Sequence, residues 1–405
     1  MKIKKCRICE SSKLINLFSL GKLSFTGKFP SKKQNIKKAP IELILCQTCK
    51  LVQLAHNFDL KYLYGPDYGY RTGINKTMLN HVKNVVKSLS KKVLLKNKDW
   101  VLDIASNDGS LLNSYRRGII TFGIDPILNK YKKNYKDISY HISNFFSAKE
   151  IMQKTQKKFK IITALSVFYD ATDPNIFLRD VKKILDKDGI FLLEFADLSS
   201  IIKYKMFDTI CHEHLEYYSS KIINDLTKKH KLRIVDIKQN EINGGSKQYL
   251  ICHNNSKIKS NLKKIKNILK NENNQKLDKV YTYKKFIKEV NRSKSKLYKK
   301  LNHLIKKGKT VHCYGASTKG NVLLQYYGIN NKLIKFAAER NKSKYGFYTP
   351  GSNIKIISEK LSRSLNPNYY LVLPWHFKKE ILRRELKSRK KGTKFIFPLP
   401  KLNIV

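Results

Sequence analysis

The chain lacks long apolar runs, is poor in acidic residues and arginine, and misses two motifs that its histidines and glycines might suggest. Without a stretch of about 18 uncharged apolar residues, a membrane span is not expected. The basic start, Met1-Lys2-Ile3-Lys4-Lys5-Cys6, is not followed by an apolar signal segment, so a cytoplasmic, reducing location is the expectation. Acidic side chains number 30 against 83 basic ones, a formal charge of +53 that invites a nucleic-acid reading. That charge is nearly all lysine scattered along the chain, and arginine, the better reader of phosphates and base edges, is scarce. Specific nucleic-acid binding is therefore not expected, whereas steering of a phosphorylated small molecule is. No His-Glu-x-x-His is present, which excludes a helical zinc-protease site. No G-x-G-x-x-G follows a strand, so a pyrophosphate-cradling turn is poorly supported.

What is present begins with cysteine. Of the seven cysteines, Cys6, Cys9, Cys46 and Cys49 form two C-x-x-C pairs that frame a turn-rich segment with Gly21, Gly27, Pro30 and Pro40. Paired knuckles supply the thiolates for a tetrahedral structural zinc, a site closed to water and stabilising for a module with little core. Cys252 and Cys313 lie in apolar runs and read as core thiols. The 405 residues predict two or three domains.

Residues 99–112 read as a buried strand, a small-residue turn and the start of a helix, with Asp103, Ala105, Ser106, Asn107 and Gly109 at the turn. A second strand ends at Asp125-Pro126, where an acid can accept from ribose hydroxyls. Strands over 160–166, ending at Ser166, and 189–195 flank an amphipathic helix over 175–185. Such alternation predicts a mostly parallel sheet covered on both faces. Residues 254–307 are rich in lysine and asparagine and predict one or two long amphipathic helices; a second α/β unit begins at Thr310. Gly315-Ala316-Ser317 there opens a helix whose free N–H groups suit an anion.

The densest chemistry lies in Met206-Phe207-Asp208-Thr209-Ile210-Cys211-His212-Glu213-His214-Leu215-Glu216-Tyr217-Tyr218-Ser219. Its two histidines are two residues apart and share a face only on an extended segment, where His212 would brace His214. Such a cluster binds a metal, moves protons, or is a satisfied polar loop.

The D-x-A-x-N-x-G turn at Asp103 resembles the first motif of class I S-adenosylmethionine-dependent methyltransferases. Further blocks narrow the resemblance: residues 62–73, a tyrosine-rich run with Tyr68 and Tyr70; the Cys-His-Glu-His segment; and Tyr314-Gly315-Ala316-Ser317-Thr318-Lys319-Gly320-Asn321 with residues 344–351 and 373–381. With the paired C-x-x-C start, the whole chain resembles the sugar C-methyltransferases of deoxysugar pathways. The resemblance implies a zinc-binding domain over 1–74, a methyltransferase domain over 75–255 and a Rossmann-like, substrate-binding domain over 256–405. It implies S-adenosylmethionine held by Asp103, Ala105, Ser106, Asn107, Gly109, Asp125, Pro126 and Ser166. It also implies methylation beside the ketone of a nucleotide-linked 4-keto-6-deoxy sugar.

In that family's pattern His214 is the general base, Glu213 its partner or a substrate ligand, and Tyr70 a phenol near the developing enolate, with Tyr68 as second choice. Asn243, Gly244, Gly245 and Lys247 resemble a glycine-rich turn by the sugar cleft, and Ser317 and Lys319 are expected diphosphate contacts. The relatives carry tyrosine where this chain has Cys211, so its substrate is expected to differ or the thiol simply packs. Alternatives are an O-methyltransferase, an enzyme for another small keto compound, and a zinc-ribbon nucleic-acid binder. A monomer is compatible with the sequence.

Overall fold

The computed structural model describes residues 1–34, 36–65 and 68–405; Pro66 and Asp67 of the tyrosine-rich run lie outside the described residues. Near the amino terminus, alternating apolar positions build Leu14–Ser24 and Lys38–Cys46, which pair antiparallel and continue into Val52–Leu54. The fourth strand of this sheet comes from far along the chain: Glu216–Tyr217 pairs with Val52 and Gln53. The chemistry-rich segment is thus joined to the cysteine module by backbone hydrogen bonds.

The middle sheet is seven-stranded. Its central strands, Trp100–Ile104, Ile120–Ile124, Phe159–Leu165 and Leu185–Phe195, are parallel. Their near-continuous apolar character fits burial on both faces. Ser246–His253 and Leu232–Asn240 complete one edge in antiparallel sense. Helix Lys76–Lys92 starts where the Asn75 side chain accepts from the Thr77 and Met78 amides, and buries Val82, Val85, Val86 and Leu89. Helix Pro174–Ile184 is capped by Asp173 with proline in its first turn, and its Phe177, Leu178, Val181 and Ile184 face the core. The helix expected after Gly109 does not form; only a 3-10 turn, Leu112–Ser114, is present. Ser114 there bonds back to the Ser110 carbonyl and Asn113 reaches the Asn134 carbonyl, so polar side chains compete with a helical ladder.

Helix Leu262–Asn274 covers the middle sheet, while Val280–Lys306 packs against the first strand and the last domain. The third sheet runs Lys355–Ser358, Phe336–Glu339, Val311–Tyr314, Tyr369–Val372, Lys394–Phe397 and Asn403–Ile404 in spatial order, parallel except at the final pair. The fold is α/β as expected, with two Rossmann-like sheets and a small cysteine module. No helix of the described residues is long and apolar enough to cross a membrane.

Both large sheets reverse strand order beside their central strand, which opens a crevice at the carboxyl ends. The crevices face each other. Asn321 donates to the Thr26 carbonyl (2.7 Å), Gln325 to the Ser24 carbonyl (3.1 Å), and the Trp375 indole to Asp208 (2.8 Å), so all three units close on one space.

Candidate active site and metal centre

The two cysteine knuckles are conformational copies. Glu10 and Lys50, each following a second cysteine, are left-handed (φ 59° and 67°), and their amides donate to the carbonyls of Cys6 and Cys46. Cys6 and Cys49 sulfurs stand 3.5 Å apart, as do those of Cys9 and Cys46, and all four lie within 4.8 Å of one another. Zinc–sulfur bonds of about 2.3 Å in a tetrahedron separate sulfurs by roughly 3.8 Å, so the donor set fits zinc and leaves no open position. Between the first two ligands, Arg7 turns inward. It donates to the Leu54 and His56 carbonyls (2.8 and 3.0 Å) and the Leu215 carbonyl (3.5 Å), and faces Glu216 at 3.4 Å. The metal knuckle is therefore fastened to the residues that follow His214.

The shared space is a cavity of about 560 Å³, a volume suited to small molecules. The methyltransferase side is made by Asp103, Ala105, Ser106, Asn107, Asp125, Pro126 and Ser166, which all line it. Ala105, Asn107 and Ser166 are left-handed (φ 58°, 49° and 57°), a strain rare outside glycine that clusters here at the strand ends. Gly109 does not reach the cavity. At φ 73° it closes the turn from beneath, where an added Cβ would stand 2.8 Å from Ile138. Asp125 accepts from the Asn107 and Ile127 amides (2.9 and 2.8 Å), and Asp103 from the Thr163 hydroxyl (2.6 Å). Burial pushes Asp125 up to about 6 and Asp103 to about 7. A wall of carboxylates, an amide and an open left-handed turn suits a ligand with ribose hydroxyls and cationic groups, as S-adenosylmethionine has.

The segment 206–218 is not extended around its histidines. A turn closes from the His214 amide to the Cys211 carbonyl (3.3 Å), and sends His212 into the cysteine module. There its Nε2 donates to the Ala39 carbonyl (3.1 Å) between Phe25 and Phe58, so it does not brace His214. His214 lines the cavity with its ring 4.1 Å from that of Tyr169. Its Nδ1 donates to the Thr209 carbonyl at 2.7 Å, which fixes the tautomer and leaves the Nε2 lone pair to accept a proton. Burial, and then the nearby Lys319 cation, lower its pKa to about 3, so it is neutral at working pH.

Glu213 lines the same cavity but has no hydrogen bond to His214. It accepts from the Thr26 hydroxyl (3.3 Å), and its Oε1 has no partner. An added Cβ on Gly27 would stand 3.0 Å from that oxygen, so the glycine lets the carboxylate pack close to the cysteine module. Tyr68 and Tyr70 line the mouth, with Tyr70 45% exposed.

Several expected substrate contacts lie elsewhere. Cys211 is 0% exposed and sits behind Glu213, off the cavity. Lys247 is 3% exposed and locked to Asp197 (2.9 Å) and Glu272; its strand turns that side chain to the helix layer instead of the crevice. Of the glycine-rich turn only Asn243 lines the cavity; Gly244 packs on Trp375 and Gly245 on Ser200. Ser317 is at the wall, yet its hydroxyl caps the helix by accepting from the Gly320 amide (3.1 Å). The Ala316 amide, counted on for an anion, donates to Glu339 (2.7 Å). Sequence reasoning passed over Asp170 and Tyr169. They follow the strand ending at Leu165 as Asp125 follows the strand ending at Ile124, so the strand-end rule was the available signal. Asp170 accepts from the Tyr64 hydroxyl (2.6 Å), and burial holds it well above the usual carboxylate range.

Comparison with known proteins agrees with this architecture. Residues 6–64 match a family model described as a zinc binding domain, 75–237 a methyltransferase domain, and 241–400 a C-methyltransferase C-terminal domain. The chain is an S-adenosylmethionine-dependent methyltransferase. Its catalytic core lies between a zinc-binding domain and a C-terminal domain of the kind that C-methyltransferases carry. C-methyltransferase NovU of Streptomyces niveus is 27% identical over 412 residues, spanning 100% of this chain and 97% of that protein. Among solved structures, an S-adenosylmethionine-dependent methyltransferase from Clostridium acetobutylicum covers 43% of this chain and 92% of its own, at 13% identity and a TM-score of 0.35. Magnesium protoporphyrin IX methyltransferase from Synechocystis, solved with SAH, covers 48% and 92% at 14% identity and a TM-score of 0.35.

Proposed function

We propose that the enzyme methylates a carbon beside the ketone of a nucleotide-activated keto-deoxysugar. The observation that carries this reading is His214, whose Nδ1 is committed to the Thr209 carbonyl while its ring lines a cavity shared by the methyltransferase strand ends and a second Rossmann-like domain. When bound, S-adenosylmethionine supplies an electrophilic methyl carbon. His214 Nε2 takes the proton from the carbon next to the ketone, Tyr70 stands at the mouth as a phenolic donor, and Glu213 offers its free Oε1 to a substrate hydroxyl. Methyl transfer needs the carbanion held in line, so the rigid walls contribute through positioning as well as proton transfer.

Functional division at 1–74, 75–255 and 256–405 is supported by Ser246–His253, which completes the middle sheet before the helices that lead to the third. The setting we propose is the cytoplasm, with a nucleotide sugar as the small-molecule partner. The test is incubation of purified enzyme with a panel of nucleotide-linked 4-keto-deoxysugars in deuterium oxide. A mass gain of one methyl group on carbon, and deuterium at that carbon when the methyl donor is withheld, are expected. Methylation on oxygen, or transfer only to keto compounds without a nucleotide, would sink the reading.

A further inference from the structure

Lys319 presents an electrostatic anomaly. It lies in the first turn of helix Thr318–Tyr327, in the wall of the cavity, and donates to the Asn243 carbonyl at 2.9 Å. Among the described residues no carboxylate comes within salt-bridge distance of it. Asp208, the carboxylate whose charge acts on Lys319, makes its hydrogen bond with the Trp375 indole. An ammonium carries three donors; the Asn243 carbonyl engages one, and the Trp375 ring centroid lies 5.8 Å from the nitrogen. Removing a cation from water without a counter-charge is costly, so such a group is retained where an anion arrives.

Its surroundings say which anion. Asn243 is a left-handed non-glycine residue (φ 55°) that presents its carbonyl to Lys319 and its amide nitrogen to Ser166 at 3.2 Å. Ser166 ends the strand beside the methyl-donor loop. On the other side, the field of Lys319 reaches His214, Cys211 and His376. The ammonium therefore stands between the methyl-donor end of the cavity and the base.

We propose that Lys319 is a catalytic residue that donates a hydrogen bond to the oxygen on which negative charge develops when His214 removes the neighbouring carbon-bound proton. This rests on the keto-substrate reading above. The C–H bond breaks, the proton goes to Nε2 of His214, and the electron pair moves into the carbonyl to give an enolate oxygen beside the ammonium. The arrangement also offsets one part of the low basicity of His214, whose larger cause is burial. In the ground state the lysine cation disfavours the imidazolium; as the oxygen becomes anionic it cancels that field, and the base strengthens as it is used.

The experiment uses the full-length, zinc-loaded enzyme with a nucleoside-diphosphate-linked 4-keto-6-deoxyhexose. Deuterium wash-in without methyl donor, methyl transfer with it, and binding of uridine and thymidine diphosphate alone are measured for wild type, Lys319→Met and Lys319→Arg. In Lys319→Met we expect wash-in and kcat to fall about 10²–10³-fold, nucleoside diphosphate affinity to be unchanged, and the acid limb of the rate profile to move up in pH. Lys319→Arg should recover part of the rate. Loss of nucleoside diphosphate affinity with kcat retained would make Lys319 a diphosphate ligand and overturn the proposal. A Lys319→Met enzyme as fast as an active wild type overturns it alone, whereas a wild type that exchanges no keto sugar overturns the substrate reading and the proposal with it.

Discussion

The cysteine module and the catalytic cleft are built by opposite routes. In the module, each ligand pair is local, the two knuckles share one backbone conformation, and the long-range element is a metal that brings the pairs together. In the cleft no two key groups share a local rule. His214 is set by a turn and by the Thr209 carbonyl, Glu213 by Thr26 and Gly27 of the cysteine module, and Lys319 by a helix of the last domain. A site of the first kind is visible in spacing; a site of the second kind exists only after docking. Arg7 joins them, since it belongs to a knuckle yet holds Leu215 and Glu216.

The largest effect is expected for Cys46→Ser. It should abolish zinc binding, melt the module, and stop methyl transfer through release of the Arg7 anchor. Binding of the methyl donor, seated on the middle sheet, should survive in calorimetry. Full activity without zinc would break the link between the two regions. Next, His214→Ala should lower kcat about 10²–10⁴-fold with zinc content and melting temperature unchanged; near-normal turnover would remove it as the base.

Lys247→Met tests a residue of the supporting layer. It strands two buried carboxylates and should cost about 3–5 kcal/mol of stability, seen as a lower melting temperature, while KM for the sugar stays the same; a raised KM alone would restore it to the substrate site. The smallest effect concerns pH. Asp125 and Asp103 have pKa values raised by burial to about 6 and about 7, so both gain protons, and lose negative charge, as pH falls from 8 toward 6. Affinity for the cationic methyl donor should weaken severalfold over that window, measured by titration calorimetry. An affinity independent of pH would mean that neither carboxyl carries charge in the complex.

Much of this was legible beforehand because strand-turn-strand spacing is a local property. The Asp103 loop, Asp125 and Ser166 line the cavity, and the four cysteines converge. Residues whose environment depends on a partner element were harder to place. Lys247 sits next to a promising double glycine, but side chains alternate along its strand, and the partners waiting on its face are Asp197 and Glu272. His212 was paired with His214 on the premise of extended backbone, and a single turn separated them. Asp170 carried the strand-end signal, but its partner, Tyr64 of the distant cysteine module, is set by docking.

By itself the sequence determined the four-cysteine cluster, the two α/β sheets and the strand-end turn at Asp103 that lines the cavity, because these follow from ligand spacing and from apolar periodicity within short windows. The tertiary structure alone decided that His214 is neutral with a free Nε2, that Cys211 and Lys247 stand behind the cavity wall, and that Lys319 faces it with no carboxylate among the described residues at salt-bridge distance. Burial and charge pairing are sums over neighbours that lie hundreds of residues apart in the chain, and no local pattern encodes them.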